Sequence, residues 1–561
     1  GTDDDGSGSA CVIELARIFG KRQTKSTLVF CCFGGEEEGL EGSQYFVDHF
    51  ENLNKIAMML QIDMANGMGV IDLDGDSYGI SAPEWLVQAG SEEFTELGFE
   101  NLRYPTHFFA LNYAFRSGAG SDHESFLQKG IPAIDFTTDI SNPIHTPLDN
   151  WQNFDHRGLE RSGLVVQKLV ERFDGGVPWE KPTHYWLYKI GSRLFFIPFG
   201  LLWVLLVFTL VVTISAFFLL RHKEKLIDSP GSPQQVLVQK KFFVPSLKLI
   251  GISLFVASIA WLLPDVLVLI TGTRYPWFAQ PLPYVFLSLV AGCIGSWIVL
   301  QFSQKFSLHT SPLPYFRTLA IYLLVLIVLA ARGNVKLTLY PTIFLLMTSL
   351  SIFFKNNAVK IGFIVFGFIT AARVVYSEWF EFIARSLATQ GETIIEPGSI
   401  ALYNASAIVI LTMLIIPIFF SLATVYRNAP SLKYIFDGVR SKNFGIALSI
   451  CFLIGMIYVS THFAYTTRYE RRVKFDEYFD LDAREQFITV KSSDYLNGVQ
   501  LTIGAKDTTI TKRVLKAELS STDTLKIPWA TMERTQQISK HNDTTTFVLS
   551  LHIAATKQPY V

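Results

Sequence analysis

Cysteine is scarce, and its spacing shows no pairing. The five residues Cys11, Cys31, Cys32, Cys293 and Cys451 are scattered through 561 positions, two of them inside candidate membrane spans, and imply no disulfide framework. Net charge is also lacking: 48 Lys and Arg against 49 Asp and Glu leave −1, so no nucleic-acid partner is indicated. Charged residues make up only 17% of the chain against 49% hydrophobic, and mean hydropathy is +0.30. That composition excludes an ordinary soluble protein of this length and makes the lipid bilayer an expected partner. There is neither an initiator methionine nor a secretory leader, and the chain opens at Gly1 within an acidic motif, so further chain is expected upstream.

What is present is organised around residues 27–43, TLVFCCFGGEEEGLEGS. The apolar run Leu28 to Phe33 reads as a buried strand, and Gly34-Gly35 ends it with a loop signal. In an open α/β sheet, ligands bind outside the carboxyl ends of strands, which would deliver Glu36, Glu37 and Glu38 to a site. By themselves three glutamates fit a solvated acidic loop equally well. Further carboxylates stand at other element ends, however. Asp3, Asp4 and Asp5 precede a helical pattern, Asp63 closes the strand pattern Ala57 to Ile62, and His145 follows in SNPIHTPLDN. Carboxylates with one imidazole form a ligand set for zinc or a similar divalent ion.

Five stretches occur in order, GTDDDGSG, EEEGLEGS, QIDM, SDHESF and IHTPLD. Together they resemble the zinc aminopeptidase family numbered twenty-eight in the peptidase classification. The resemblance implies that Asp4 bridges two zinc ions, that an unusual cis peptide joins it to Asp5, and that Glu37 and His145 complete one ion's ligands while Asp63 holds the other. It implies Glu36 as general base. It places Asp122 and His123 around the ligands, where Asp122 orients one of them or receives the substrate's amino end. The family's second ion usually takes a histidine from an H-x-D stretch, which would lie upstream of Gly1. Local alternatives stay open: GTDDDGSG also reads as a helix N-cap cluster, and Ser121 as the N-cap of a short helix.

Residues 1–180 alternate helix and strand patterns, with helices expected over Ser9 to Phe19, Gln44 to Asn54 and Gly158 to Phe173, a capping box at Ser81 to Glu84, and a strand over Ile131 to Phe136. This predicts an α/β zinc-peptidase domain, a mixed and mostly parallel sheet covered by helices on both faces. A linker is expected over 181–194, an α-helical multi-pass membrane domain over 195–466 and a small β-rich domain over 467–561. Eight candidate spans lie near 195–220, 247–271, 281–303, 316–332, 337–354, 359–377, 400–426 and 444–464, each close to the ~20 residues a bilayer requires.

Loops after odd spans carry thirteen Lys and Arg, whereas loops after even spans carry five, Arg274, Arg332, Lys336, Arg373 and Arg385. The positive-inside rule then puts the metal domain and the tail on the extracytoplasmic side, in a periplasm or in the lumen of the vacuole or endoplasmic reticulum. This layout resembles the multi-pass branch of the same family, typified by the vacuolar membrane protease and the endoplasmic reticulum metallopeptidase. Asp265, after Pro264, is an acid inside an apolar stretch and is read as a wet kink. The expected activity is removal of amino-terminal residues from peptides by a di-zinc enzyme. A glutaminyl-cyclase-like enzyme with a single zinc on Asp4, Glu37 and His145 is the alternative enzyme. A receptor or scaffold without activity is the alternative of another class.

Overall fold

The computed structural model describes residues 1–105, 120–138, 144–145, 148–190, 193–227, 243–302, 311–333, 335–373, 384–385, 388, 397–428, 437–466, 469, 471, 473–480, 485–498, 500–503, 506–514, 516–521, 530–541 and 544–555. Two compact units emerge, one of Gly1–Thr271, Pro276–Leu387 and Ile400–Glu470, the other of Gly272–Tyr275, Ala388–Ser399 and Arg471–Val561.

The first unit begins with helix α1 (Gly6–Phe19), which buries Cys11, Leu15 and Phe19, one stripe at four-residue spacing. Helices α2 (Glu41–His49), α3 (Glu84–Glu96), α4 (His123–Gln128) and α5 (Arg157–Phe173) follow. Strands β1 (Met59–Asp63), β2 (Ile71–Asp74), β5 (Leu102–Arg103) and β6 (Ala133–Thr138) form one sheet in the order β1-β6-β2-β5. β1 runs parallel to β6 and β2 parallel to β5, while β2 and β6 are antiparallel, so the sheet is mixed as expected. Every residue of β6 is buried, which fits its place between two neighbours. The core joins α1, α3, α5 and the sheet through residues such as Leu15, Leu73, Leu86, Ile134, Phe136 and Leu169.

Two local expectations are corrected. Residues 28–33 form no strand, since none of them joins a described strand ladder; Leu28 and Phe33 nevertheless pack against the core. The capping box at Ser81 does not form either. Ser81 lies on β4 (Ile80–Ser81), which pairs with β3 (Asp76–Ser77), and its hydroxyl donates to Asp76 Oδ2 at 2.9 Å. Within 181–194 a hairpin begins, β7 (Tyr185–Ile190) against β8 (Arg193–Pro198), and leads directly into the first long apolar helix.

Among the described residues six helices are long and apolar enough to cross a membrane: Phe199–Lys225, Val244–Thr271, Pro281–Gln301, Leu313–Gly333, Asn404–Val425 and Lys442–Thr461. Two of the eight predicted spans form shorter apolar helices, Val335–Ser351 and Asn357–Ala372. The 16 residues of the latter rise about 24 Å at ~1.5 Å per residue, less than the ~30 Å hydrocarbon core. These two are consecutive, so removing both as spans leaves the sidedness of every other loop unchanged. Buried hydroxyls pair between helices, Thr213 with Ser349 at 3.0 Å and Thr348 with Ser421 at 3.0 Å, which satisfies polar groups where water is excluded. Asp265 stands where the second span is interrupted after Pro264, and its Oδ1 accepts from the Tyr284 hydroxyl at 3.0 Å.

In the second unit, strands β9 (Lys474–Asp480), β10 (Glu485–Lys491) and β13 (Lys516–Ser521) form an antiparallel sheet in the order β13-β10-β9. Hairpins β11–β12 (Gln500–Ile503, Lys506–Thr509) and β14–β15 (Ala530–His541, Thr544–Ala555) accompany it, in keeping with a β-rich tail.

Candidate metal centre

The acidic stretch before α1 divides its labour. Asp5 is the N-cap, its Oδ1 accepting from the Gly8 amide at 3.0 Å, and the same oxygen accepts from the Met64 amide at 3.2 Å. Ser7 Oγ donates to the Asp3 carbonyl at 2.7 Å and accepts from the Ala65 amide at 2.7 Å. These bonds tie the start of α1 to the chain just after β1. Gly8 permits the approach, since a Cβ there would stand 2.2 Å from the Ile62 carbonyl oxygen. Freed from capping, Asp4 points elsewhere, and the Asp4–Asp5 peptide is cis.

Asp4 meets His145 and Glu37. His145 Nε2 lies 2.8 Å from Asp4 Oδ2 and 2.5 Å from Glu37 Oε1, and one ligand atom from each of the three falls within 4.8 Å of the others. A ring nitrogen between two carboxylate oxygens carries a proton or faces a cation there. Accordingly the Asp4 carboxylate holds the His145 imidazole above its usual value, and His145 holds Asp4 below the usual carboxylate range. The His145 side chain is 46% exposed and that of Glu37 55%, so the trio opens to solvent, as a site admitting substrate must. The donor set of two carboxylates and an imidazole fits zinc with an open position.

Asp149 braces this arrangement. Its Oδ1 accepts from the Asp3 amide at 2.7 Å and its Oδ2 from the Asp4 amide at 3.2 Å, clamping the loop that carries His145 onto the strip that carries Asp4. His145 itself sits at φ 56° and Met64, next to Asp63, at φ 74°. Such backbone costs a non-glycine residue about 1–3 kcal/mol and clusters where a site is held in place.

Glu36 precedes Glu37 in a tight turn in which its carbonyl accepts from the Gly39 and Leu40 amides at 3.0 and 2.9 Å. Partial burial, then the charges of Asp63, Glu37, Asp122 and Asp4, push its carboxyl up to about 8. Asp63 does not belong to the converging trio. Burial raises its carboxyl to about 6 despite the Ser121 hydroxyl, which donates to Asp63 Oδ2 at 2.7 Å. Ser121 in turn accepts from Gln61 Nε2 at 2.6 Å, and Gln61 Oε1 accepts from the His123 amide at 2.6 Å. The Ser121 hydroxyl is thus spent on Asp63, not on capping α4.

Asp122 is buried, with its Oδ1 unpartnered among the described residues, and burial raises its carboxyl. It lies close enough to Glu36 and Asp63 to raise both. His123 behaves differently: its ring is fully buried with both nitrogens unpartnered among the described residues, pushed down to about 3 by burial, so it stays neutral. Its contribution is the main-chain bond to Gln61. Gln61, Ser7 and Asp149 escape sequence reasoning as site residues, although each lies inside or beside a motif that signals the site.

A solvent-open carboxylate and imidazole trio beside a carboxyl of raised affinity for protons defines a metallohydrolase type of site. Comparison narrows the class: residues 1–170 match Peptidase family M28. The chain is 26% identical over 185 residues to "Aminopeptidase YwaD" of Bacillus subtilis (strain 168), covering 30% of this chain and 37% of that protein. It is 41% identical over 189 residues to a "Probable zinc metalloprotease" of Phaeosphaeria nodorum, covering 30% and 37%. It is 32% identical over 146 residues to the "probable leucine aminopeptidase 2" of Aspergillus oryzae, covering 24% and 26%. The chain spans well under half the length of each of these relatives. Residues 1–170 are thus similar to that peptidase family, and six helices apolar and long enough to cross a membrane follow among the described residues.

Proposed function

We propose that the protein is a membrane-anchored zinc aminopeptidase whose catalytic domain faces the extracytoplasmic side. The observation that carries this reading is the convergence of Asp4, Glu37 and His145 beside a Glu36 that does not join them. Zinc, when bound, polarises the scissile carbonyl and brings the pKa of a water down to ~7. Glu36 accepts the proton of the attacking water and delivers it to the departing amine, a task suited to a carboxyl poised near neutral pH. Asp4, Glu37 and His145 would hold one zinc ion, and Asp63, oriented by the Ser121 hydroxyl, would serve as a ligand to a second. Asp122, with a buried carboxylate oxygen unpartnered among the described residues, receives the substrate's ammonium end and so restricts cleavage to the first residue. Peptides are the substrates, and the excess of Lys and Arg in loops after odd-numbered spans, thirteen against five with eight spans and eleven against seven once the two shorter helices are discounted, supports the extracytoplasmic side.

The test compares a free-amine dipeptide with its N-acetylated counterpart, using the full chain with zinc present. The aminopeptidase reading expects cleavage of the first alone; equal cleavage of both would overturn it. The cyclase reading needs only the trio, and cyclisation of an N-terminal glutamine in place of hydrolysis would establish it.

A further inference from the structure

Lys336 lies in the short turn Val335–Thr338 among the apolar helices, yet its side chain is 2% exposed and forms an ion pair with Asp76 of the peptidase domain. Its Nζ also donates to Ser81 Oγ at 3.2 Å, and Ser81 donates to Asp76 Oδ2 at 2.9 Å. The three close a triangle that ties β3 to β4. Leu73, Tyr104, Tyr185 and Leu187 line the cavity around it.

A fastening between the two regions does not need this charge. Trp186 already packs against Leu339 and Tyr340, and a buried ion pair stabilises no better than apolar side chains of the same volume. What the pair adds is a fixed position for the β3–β4 hairpin. On its other side the hairpin is held by reciprocal backbone bonds between Ser81 and Thr183 at 2.8 and 2.9 Å and by His184 Nδ1, 2.5 Å from the Gly79 carbonyl oxygen. Helix α4 packs against both strands of the hairpin. Ser121, just before α4, donates to Asp63.

We propose that Lys336 is a positioning residue: by pinning the β3–β4 hairpin from the membrane region it sets the placement of α4 and hence of the Ser121 hydroxyl on Asp63. The membrane region is then part of the catalytic apparatus as well as its anchor. This inference rests on reading Asp63 as a metal ligand.

The experiment uses the full chain in lipid nanodiscs, with Lys336→Met and the double variant Asp76→Asn/Lys336→Met. The double variant leaves no uncompensated charge, so it keeps the test available if Lys336→Met fails to fold. Zinc affinity by chelator competition and amide exchange over residues 72–82 and 121–128 are read in parallel. Loss of about 10-fold in zinc affinity is expected, the low end for partners that orient a ligand, with faster exchange in both segments. A lowered melting temperature with wild-type zinc affinity and wild-type exchange over 121–128 would show a merely structural fastening and overturn the proposal. Neither readout depends on turnover. A wild-type protein that binds zinc but cleaves no peptide would therefore sink the aminopeptidase reading and leave the positioning test standing.

Discussion

Replacing Ser121 by alanine removes one hydroxyl with two described partners. That hydroxyl donates to Asp63 Oδ2 at 2.7 Å and accepts from Gln61 Nε2 at 2.6 Å, within a buried setting. A hydrogen bond to a charged group is worth about 1.5–3 kcal/mol net. At ~1.4 kcal/mol per tenfold that corresponds to roughly 10- to 100-fold, the range found when a partner that orients a metal ligand is lost. The direction follows from the Asp63 carboxyl, which burial already raises to about 6 and which Ser121 alone among its partners draws back down. On the proposed two-ion reading, loss of that bond leaves Asp63 holding its proton more tightly and rotating more freely, so zinc at the Asp63 position should weaken while an ion on Asp4, Glu37 and His145 is retained. The assay is zinc stoichiometry during titration with a chelator of graded concentration. Ser121→Ala should lose one ion at roughly 10- to 100-fold lower chelator than the wild type and keep the other. Wild-type behaviour of both ions would refute the role assigned to Ser121, and simultaneous loss of both would refute the separation of the two positions.

Two further outcomes follow from the same geometry. Burial raises the Glu36 carboxyl to about 8, so at pH 7 the chelated protein holds a proton there that zinc must expel. Calorimetric titration in buffers of differing ionisation enthalpy should find proton release at pH 7 that largely disappears at pH 9. For Glu36, folding stability of the chelated protein is fully present below the ordinary value of 4.5 and is lost as pH rises through about 8, which thermal melts across that window will check. Gly8→Ala should destabilise the peptidase domain and lower zinc content together, because the new methyl would stand 2.2 Å from the Ile62 carbonyl oxygen and 2.4 Å from Asp5 Oδ1. A Gly8→Ala protein with unchanged melting temperature and zinc content would contradict the close approach.

Local patterns in the sequence were most informative where the chemistry itself is local. The acidic run before α1 reads as both an N-cap and a ligand source, and the structure separates the two roles between neighbouring residues, Asp5 and Asp4. His145 is legible because its loop context is short and contiguous. The strand Ile71–Asp74 is not, because its two aspartates look solvated until Arg103 from β5 meets Asp72 with bonds of 2.5 and 2.6 Å. The run 28–33 illustrates the converse, a strand pattern whose ladder has no described neighbour. Lys336 counts in the sequence as a weak topological signal, one of few cations after even spans. Its partners Asp76 and Ser81 lie more than two hundred residues earlier, and no periodicity or motif connects positions so distant. Arg385 is similar, its guanidinium 3.7 Å from the Tyr469 ring centroid and its Nε donating to the Phe278 carbonyl at 2.8 Å. Lys336 and Arg385 are thus held in tertiary contacts that sequence alone leaves invisible.

The central claim is that Glu36 moves protons and Glu37 holds the ion, although the two are adjacent. The most direct measurement pairs Glu36→Gln with Glu37→Gln in the full chain, with zinc content and aminoacyl-substrate turnover recorded on the same samples. Glu36→Gln should keep its zinc and lose about 10²-fold or more in turnover, the span typical of a general base, with no recovery in excess zinc. Glu37→Gln should lose zinc and regain part of its activity when zinc is supplied in excess. A Glu36→Gln protein that retains its zinc and turns over substrate at the wild-type rate would contradict the account.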